Sequence, residues 1–163
     1  MLTLHLPDAA ATTRAGAAIA PTLVGGMVVA LQGDLGAGKT TLARGILRAL
    51  GVSGPIKSPS YALVEHYPLS SIYFYHLDFY RFDDPSEWET AGLAECFRAD
   101  SVCLVEWPER VAALLPPFDL ALVLSLASPT REGRTLVAHA NSESGERCVS
   151  AIEAAFAARD TRD

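Results

Sequence analysis

Three features of this sequence predict a three-layer α/β domain with a mostly parallel central sheet and a late antiparallel hairpin. Strand-like and helix-like segments alternate through the first two thirds of the chain, the pattern of successive βαβ units. Two uninterrupted apolar runs, Met27–Leu31 and Val102–Val105, have the composition of strands buried on both faces. The chain has 163 residues, 50% apolar and 20% charged, which suits a single folded domain over residues 1–163 with a substantial core.

Leu2, Leu4 and Leu6 alternate with Thr3 and His5, which predicts a short half-buried strand. A helix is expected over Arg14–Val24, capped by Asp8, Thr12 or Thr13 and ended by Gly25-Gly26. Met27–Leu31 is the first buried strand. Gly33–Gly38 is glycine-rich, and Thr40–Leu50 has helical apolar spacing with Gly51 as its stop. Tyr61–His66 and Ile72–Leu77 read as two strands joined by a turn around Pro68–Ser71. Pro85–Phe97 reads as a helix with Pro85 near its first turn. Val102–Val105 is the second buried strand, followed by a short helix over Pro108–Leu115. Leu120–Leu126 and Arg134–Ala140 form the closing hairpin, and Arg147–Ala158 a terminal helix. No repeat, linker or second domain is visible.

The charge balance narrows the function. Nineteen acidic residues against thirteen basic give a net charge of −6, which excludes a broad surface for gripping nucleic-acid phosphates. Eleven of the thirteen cations are Arg; only Lys39 and Lys57 are Lys. The cysteines Cys96, Cys103 and Cys148 are odd in number with no CxxC pair, and read as small buried hydrophobes in a reducing compartment. The uncharged stretch Ala15–Leu31 is broken by Pro21 and Gly25-Gly26 and falls short of the ~20 apolar residues of a spanning helix. A cytoplasmic protein without a membrane segment is therefore expected.

The strongest motif is Gly33-Asp34-Leu35-Gly36-Ala37-Gly38-Lys39-Thr40, a full match to the phosphate-binding G-x-x-x-x-G-K-[ST] loop, followed by Thr41. A chance match in a chain this long is on the order of 1 in 100. The context is the one the mechanism requires, a buried strand before the loop and a helix after it. Glycines let successive N–H groups point inward as an anion nest, and the helix N-terminus adds its positive dipole end. Lys39 brings a compact charge to the outer phosphates, and the Thr40 hydroxyl is placed to ligate Mg²⁺. The fold class thus sharpens to a P-loop NTPase-like domain that binds a nucleotide.

Such a loop works with a carboxylate at the end of a neighbouring buried strand. Glu106 ends Val102–Val105 and Asp78 ends Ile72–Leu77. One is suited to the metal, directly or through water, and the other to orienting the attacking water. Neither lysine outside or inside the loop belongs to an Asn-Lys-x-Asp guanine-reading segment, which favours ATP.

Four segments together resemble a known family. Gly33–Thr41, Ser58-Pro59-Ser60-Tyr61, His76-Leu77-Asp78-Phe79-Tyr80-Arg81 and Glu106-Trp107-Pro108-Glu109 match, in order and spacing, the bacterial tRNA threonylcarbamoyladenosine biosynthesis ATPases TsaE (YjeE/YdiB), over about residues 4–140. The resemblance implies a small ATPase that acts with two larger proteins, TsaB and TsaD. TsaD, with TsaB, transfers threonylcarbamoyl to N6 of adenosine 37 in tRNAs reading codons that start with A. The ATP cycle of the small subunit is implied to reset that complex between turnovers, so tRNA is reached only indirectly. By similarity, Gly36–Thr41 hold phosphates, Thr40 and Glu106 hold Mg²⁺, Asp78 is the water-orienting or second-sphere carboxylate, and Arg131 stands where the family has an additional nucleotide-contacting arginine. Ser58–Tyr61 is a switch-like loop near the γ-phosphate, with Ser60 in place of the family's usual Thr. On these grounds Lys39, Asp78 and Glu106 are the expected catalytic residues, and Gly33–Thr41 with Arg131 the expected nucleotide-binding set.

Other readings stay open at this level. Small-molecule kinases share this size and loop, although no arginine-bearing lid is evident, and a nucleotide-gated binding module needs no essential hydrolysis. His76 is suited either to a bond within the site or to a backbone carbonyl. Trp107 suits nucleotide or partner contact as well as packing. Arg81 is expected to pair locally with Asp78 or Asp83, or else to face phosphate. Tyr73, Phe74, Tyr75, Phe79 and Tyr80 lie on alternating strand faces and suit core and partner interface better than base stacking.

Overall fold

The computed structural model describes residues 1–128 and 131–157, with the side chain of Arg131 outside that description. Seven strands form one sheet: β1 (Leu2–Leu6), β2 (Val28–Gln32), β3 (Val64–Pro68), β4 (Tyr73–Asp78), β5 (Ser101–Glu106), β6 (Leu120–Ser128) and β7 (Arg131–Ala140). Their order is β1-β7-β6-β2-β5-β4-β3. The middle four, β6, β2, β5 and β4, are mutually parallel. The outer pairs β1–β7, β6–β7 and β3–β4 are antiparallel, so the expected late hairpin is present.

The two apolar runs occupy the centre. All six residues of β5 are buried, as are Val28–Leu31 of β2. Alternation assigns their side chains to two cores. Val29, Leu31, Val102 and Leu104 join Phe74 in a cluster under α1 (Ala9–Ile19), α2 (Lys39–Ala49) and α4 (Glu143–Ala157). Val28, Cys103 and Val105 join Leu77 in a second cluster with Phe79, Phe82 and Trp88. That face carries α3 (Ser86–Thr90) and short 3₁₀ turns at Leu93–Cys96 and Pro108–Val111. Helices on both faces of a centrally parallel sheet give the three layers that the sequence predicts.

Several boundaries depart from expectation. The first helix starts at Ala9, because Asp8 caps it by accepting the Ala11 N–H at 2.7 Å, and it passes into a 3₁₀ turn at Ala20–Thr22 around Pro21. The predicted single helix Pro85–Phe97 is two pieces: α3 stops at Thr90, and Gly92, at φ +63°, redirects the chain into the 3₁₀ turn. Pro108–Leu115 is a 3₁₀ turn ending at Val111. The last helix begins at Glu143, with the Ser142 hydroxyl accepting the Gly145 N–H at 3.1 Å, earlier than the apolar spacing suggests. Helices α1 and α2 cross closely enough that glycine is required at the contact: a Cβ on Gly16 would lie 2.2 Å from the Leu42 carbonyl oxygen. Cys96, Cys103 and Cys148 are buried free thiols, and burial pushes Cys103 up to about 12. No helix among the described residues is long and apolar enough to cross a membrane.

Candidate nucleotide-binding site

The parallel strands β2, β5 and β4 all end at one edge of the sheet, the edge at which ligands of such sheets bind. β2 runs directly into the glycine loop and α2. Gly36 and Gly38 have φ of +78° and +107°, a left-handed geometry that turns backbone N–H groups to one side, and Gly38 leads into α2. In the register of β4 and β5, Asp78 stands opposite Glu106. Of the six buried polar or charged residues among those described, Lys39, His76, Asp78 and Glu106 gather at this edge. Buried charge is unfavourable unless it is paired or awaits a ligand, so this concentration marks the site.

A cavity of about 600 Å³ opens there. Its walls include Gly36, Gly38, Lys39, Thr40, Thr41, Ser58, Asp78 and Glu106, together with Leu35. Gly33, Asp34 and Ala37 complete the loop, within which the Ala37 N–H donates to the Asp34 carbonyl at 3.1 Å. Lys39 Nζ donates to the Gly33 carbonyl and, at 3.0 Å, to the Asp34 carbonyl, and lies 4.6 Å from the centre of the Trp107 ring. Two of its three protons are thereby used. The ring is aimed there by the backbone: Trp107 follows the end of β5 at φ +55°, before Pro108. The Trp107 ring also neighbours that of Tyr80, with ring centres 5.0 Å apart and the planes tilted by 44°.

The two carboxylates are held differently. Asp78 accepts the Ser58 hydroxyl at 2.8 Å on Oδ2 and the Tyr80 N–H at 2.9 Å on Oδ1, which ties the Ser58–Tyr61 loop to the end of β4. Glu106 Oε1 lies 2.7 Å from His76 Nε2, resolving the alternatives for His76 in favour of a bond within the site. Thr40, Asp78 and Glu106 offer the hard oxygen donors that suit Mg²⁺, and the nest with Lys39 suits a polyphosphate, so the residues present fit both groups.

One expectation about arginines changes, and one falls outside the described residues. Among the described residues Arg81 pairs with neither Asp78 nor Asp83: it donates to the Tyr61 hydroxyl at 3.1 Å, stacks 4.3 Å from that ring's centre and lines the cavity. The Arg131 side chain lies outside the described residues, and the arginine seen at the loop is Arg134. Its Nε donates to the Ala37 carbonyl at 3.0 Å and its Nη2 to the Gly36 carbonyl at 3.1 Å. Sequence reasoning passed over Arg134; the pairing of β7 with β1 and β6, which delivers it, is the signal that could have found it.

The family model for "Threonylcarbamoyl adenosine biosynthesis protein TsaE" matches residues 6–136. The chain belongs to the TsaE family. It is 38% identical over 156 residues to the tRNA threonylcarbamoyladenosine biosynthesis protein TsaE of Haemophilus influenzae, covering 93% of this chain and 97% of that one. The Bacillus subtilis protein of the same name is 38% identical over 116 residues, covering 71% and 72% of the two chains. The crystal structure of Bacillus subtilis YdiB superposes with a TM-score of 0.76 at 26% identity over 94% of each chain. The TsaE match spans all four motif segments, and the YdiB likeness extends to the whole P-loop fold.

Proposed function

We propose that this chain is a Mg²⁺-dependent ATPase required for threonylcarbamoylation of adenosine 37 (t⁶A37) in tRNAs reading codons that start with A. In this reading it works as one cytoplasmic domain over residues 1–163, with TsaB- and TsaD-type partners, and its ATP cycle resets their complex between turnovers. The observation that carries the reading is the convergence of Lys39, Asp78 and Glu106 around a P-loop cavity in a chain of the TsaE family.

The roles follow from chemistry. The loop N–H groups of Gly36–Thr41 and the α2 dipole bind the phosphates, and the free proton of Lys39 Nζ reaches an outer phosphate oxygen. Thr40 and Glu106 would hold Mg²⁺, which would supply neutralisation of phosphate charge. Asp78 keeps a lone pair on each oxygen beyond its bonds to Ser58 and Tyr80, and orients the attacking water with one of them. Because Ser58 grips the same carboxylate, the Ser58–Tyr61 loop responds to events at the phosphate. A net charge of −6 gives no field to draw in ATP or tRNA, so affinity for nucleotide is local and tRNA is reached through the partners.

The test is ATP turnover by the purified chain, alone and with TsaB- and TsaD-type proteins. Slow hydrolysis alone and a clear rise with partners is expected. Absence of stimulation contradicts the reading, and equal partner affinity with ATP, ADP and a non-hydrolysable analogue removes nucleotide gating as a substitute for it.

A further inference from the structure

We propose that His76 is the positioning residue for Glu106, fixing the carboxylate so that its second oxygen is presented to the divalent cation. The inference rests on the reading of Glu106 as a metal-holding residue and adds a role for a residue to which that reading assigns none.

The geometry starts with strand register. In the parallel pair β4–β5, His76 stands opposite Leu104, so Glu106 is two residues further along the neighbouring strand on the same face. The imidazole spans that offset and meets Glu106 Oε1 at 2.7 Å. Both residues are buried, His76 at 0% exposure and Glu106 at 2%. A carboxylate oxygen accepts, so the bond places a proton on Nε2. Nδ1 is buried without a partner among the described residues. Glu106 Oε2 makes no hydrogen bond among the described residues, while Glu106 forms part of the cavity wall.

Fold stability alone does not account for this pair. Apart from Asp78 at the strand end, the other inward positions of β4 and β5 on this face, Phe74, Val102 and Leu104, are apolar and complete the core. A histidine that leaves one ring nitrogen unsatisfied is a poor core residue beside them. Its one polar side-chain contact among the described residues is to Glu106 at the phosphate site, and a buried donor that fixes one oxygen of a ligating carboxylate is the usual way a metal ligand is oriented. Without the imidazole, Glu106 is free to rotate about its terminal torsions and its charge is buried unpaired.

The probe is Mn²⁺, with binding to the ADP-loaded protein read by electron paramagnetic resonance and ADP affinity measured separately in EDTA. His76→Leu is expected to weaken Mn²⁺ binding by about 10–100-fold while ADP affinity in EDTA is unchanged. His76→Gln, whose amide N–H reaches the position of Nε2, should restore most of the affinity, and the shorter His76→Asn should not. Should the leucine variant fail to fold in a thermal melt, the Gln–Asn pair decides alone. Equal Mn²⁺ affinity in wild type and His76→Asn, or a parallel loss of ADP affinity in EDTA, overturns the proposal. Glu106→Gln separates the two readings. If it weakens Mn²⁺ binding while the His76 variants do not, only the positioning role fails. If it leaves Mn²⁺ binding intact, the metal role of Glu106 fails and this inference falls with it.

Discussion

Replacing Arg134 with alanine strips the P-loop of two hydrogen bonds that reach it from β7. The guanidinium holds the Ala37 carbonyl at 3.0 Å and the Gly36 carbonyl at 3.1 Å, so it fixes the outer side of the turn whose N–H groups point inward. A hydrogen bond from a charged donor contributes ~1.5–3 kcal/mol when fully shielded and less where water competes. Arg134 is half-buried, so the two bonds together are worth about 1–2 kcal/mol. Spent on ordering the loop before nucleotide arrives, that energy corresponds to ~5–30-fold in affinity. Calorimetric titration with ADP should show this loss in Arg134→Ala, and amide exchange should rise at Gly36–Lys39. Arg134→Lys should recover little, since a point charge does not span two adjacent carbonyls. Unchanged affinity together with unchanged exchange in the alanine variant would refute the reasoning.

Three further outcomes are expected. Gly16→Val drives a side chain against the Leu42 carbonyl, where even a Cβ would sit at 2.2 Å, and should cost ~1–3 kcal/mol, lowering the melting temperature by about 3–10 °C. Ser58→Ala releases Asp78 Oδ2 and should lower partner-stimulated ATP turnover about tenfold with ADP affinity preserved; a loss of affinity instead would place Ser58 in binding and not in the hydrolytic step. Burial pushes the Cys103 thiol up to about 12, above the ~8.5 of an unfolded cysteine, so unfolding releases a proton between those values. Stability is untouched below ~8.5 and falls by up to about 1.4 kcal/mol per pH unit as pH rises toward 12, so urea melts of Cys103→Ala should show a shallower alkaline decline than wild type.

How far this site can be read from sequence depends on how local each part is. Gly33–Thr41 is contiguous, and its geometry follows from glycine and the flanking strand and helix, so the loop needs no tertiary information. Asp78 and Glu106 are legible because each ends an apolar strand; that they stand opposite one another is a matter of register. Arg134 sits 97 residues from the carbonyl it holds, and only the pairing of β7 with β6 and β1 delivers it. His76 stays open between a bond within the site and a backbone carbonyl until the two-residue offset to Glu106 is known. The helix after Asp8 is misjudged at its start because three capping residues precede an alanine-rich segment of weak amphipathicity, and local propensity does not choose among them. The break at Gly92 is missed because the apolar spacing continues through it, whereas the left-handed backbone there does not.

In the proposed function, nucleotide turnover at this P-loop drives repeated rounds of tRNA modification. Its most direct test is t⁶A formed by a reconstituted TsaB–TsaD complex supplied with ATP, tRNA and either the wild-type chain or Lys39→Ala. The wild-type chain should support many rounds per complex, and Lys39→Ala no more than a single round. Equal multi-round t⁶A formation with a Lys39→Ala protein that neither binds nor hydrolyses ATP would contradict it.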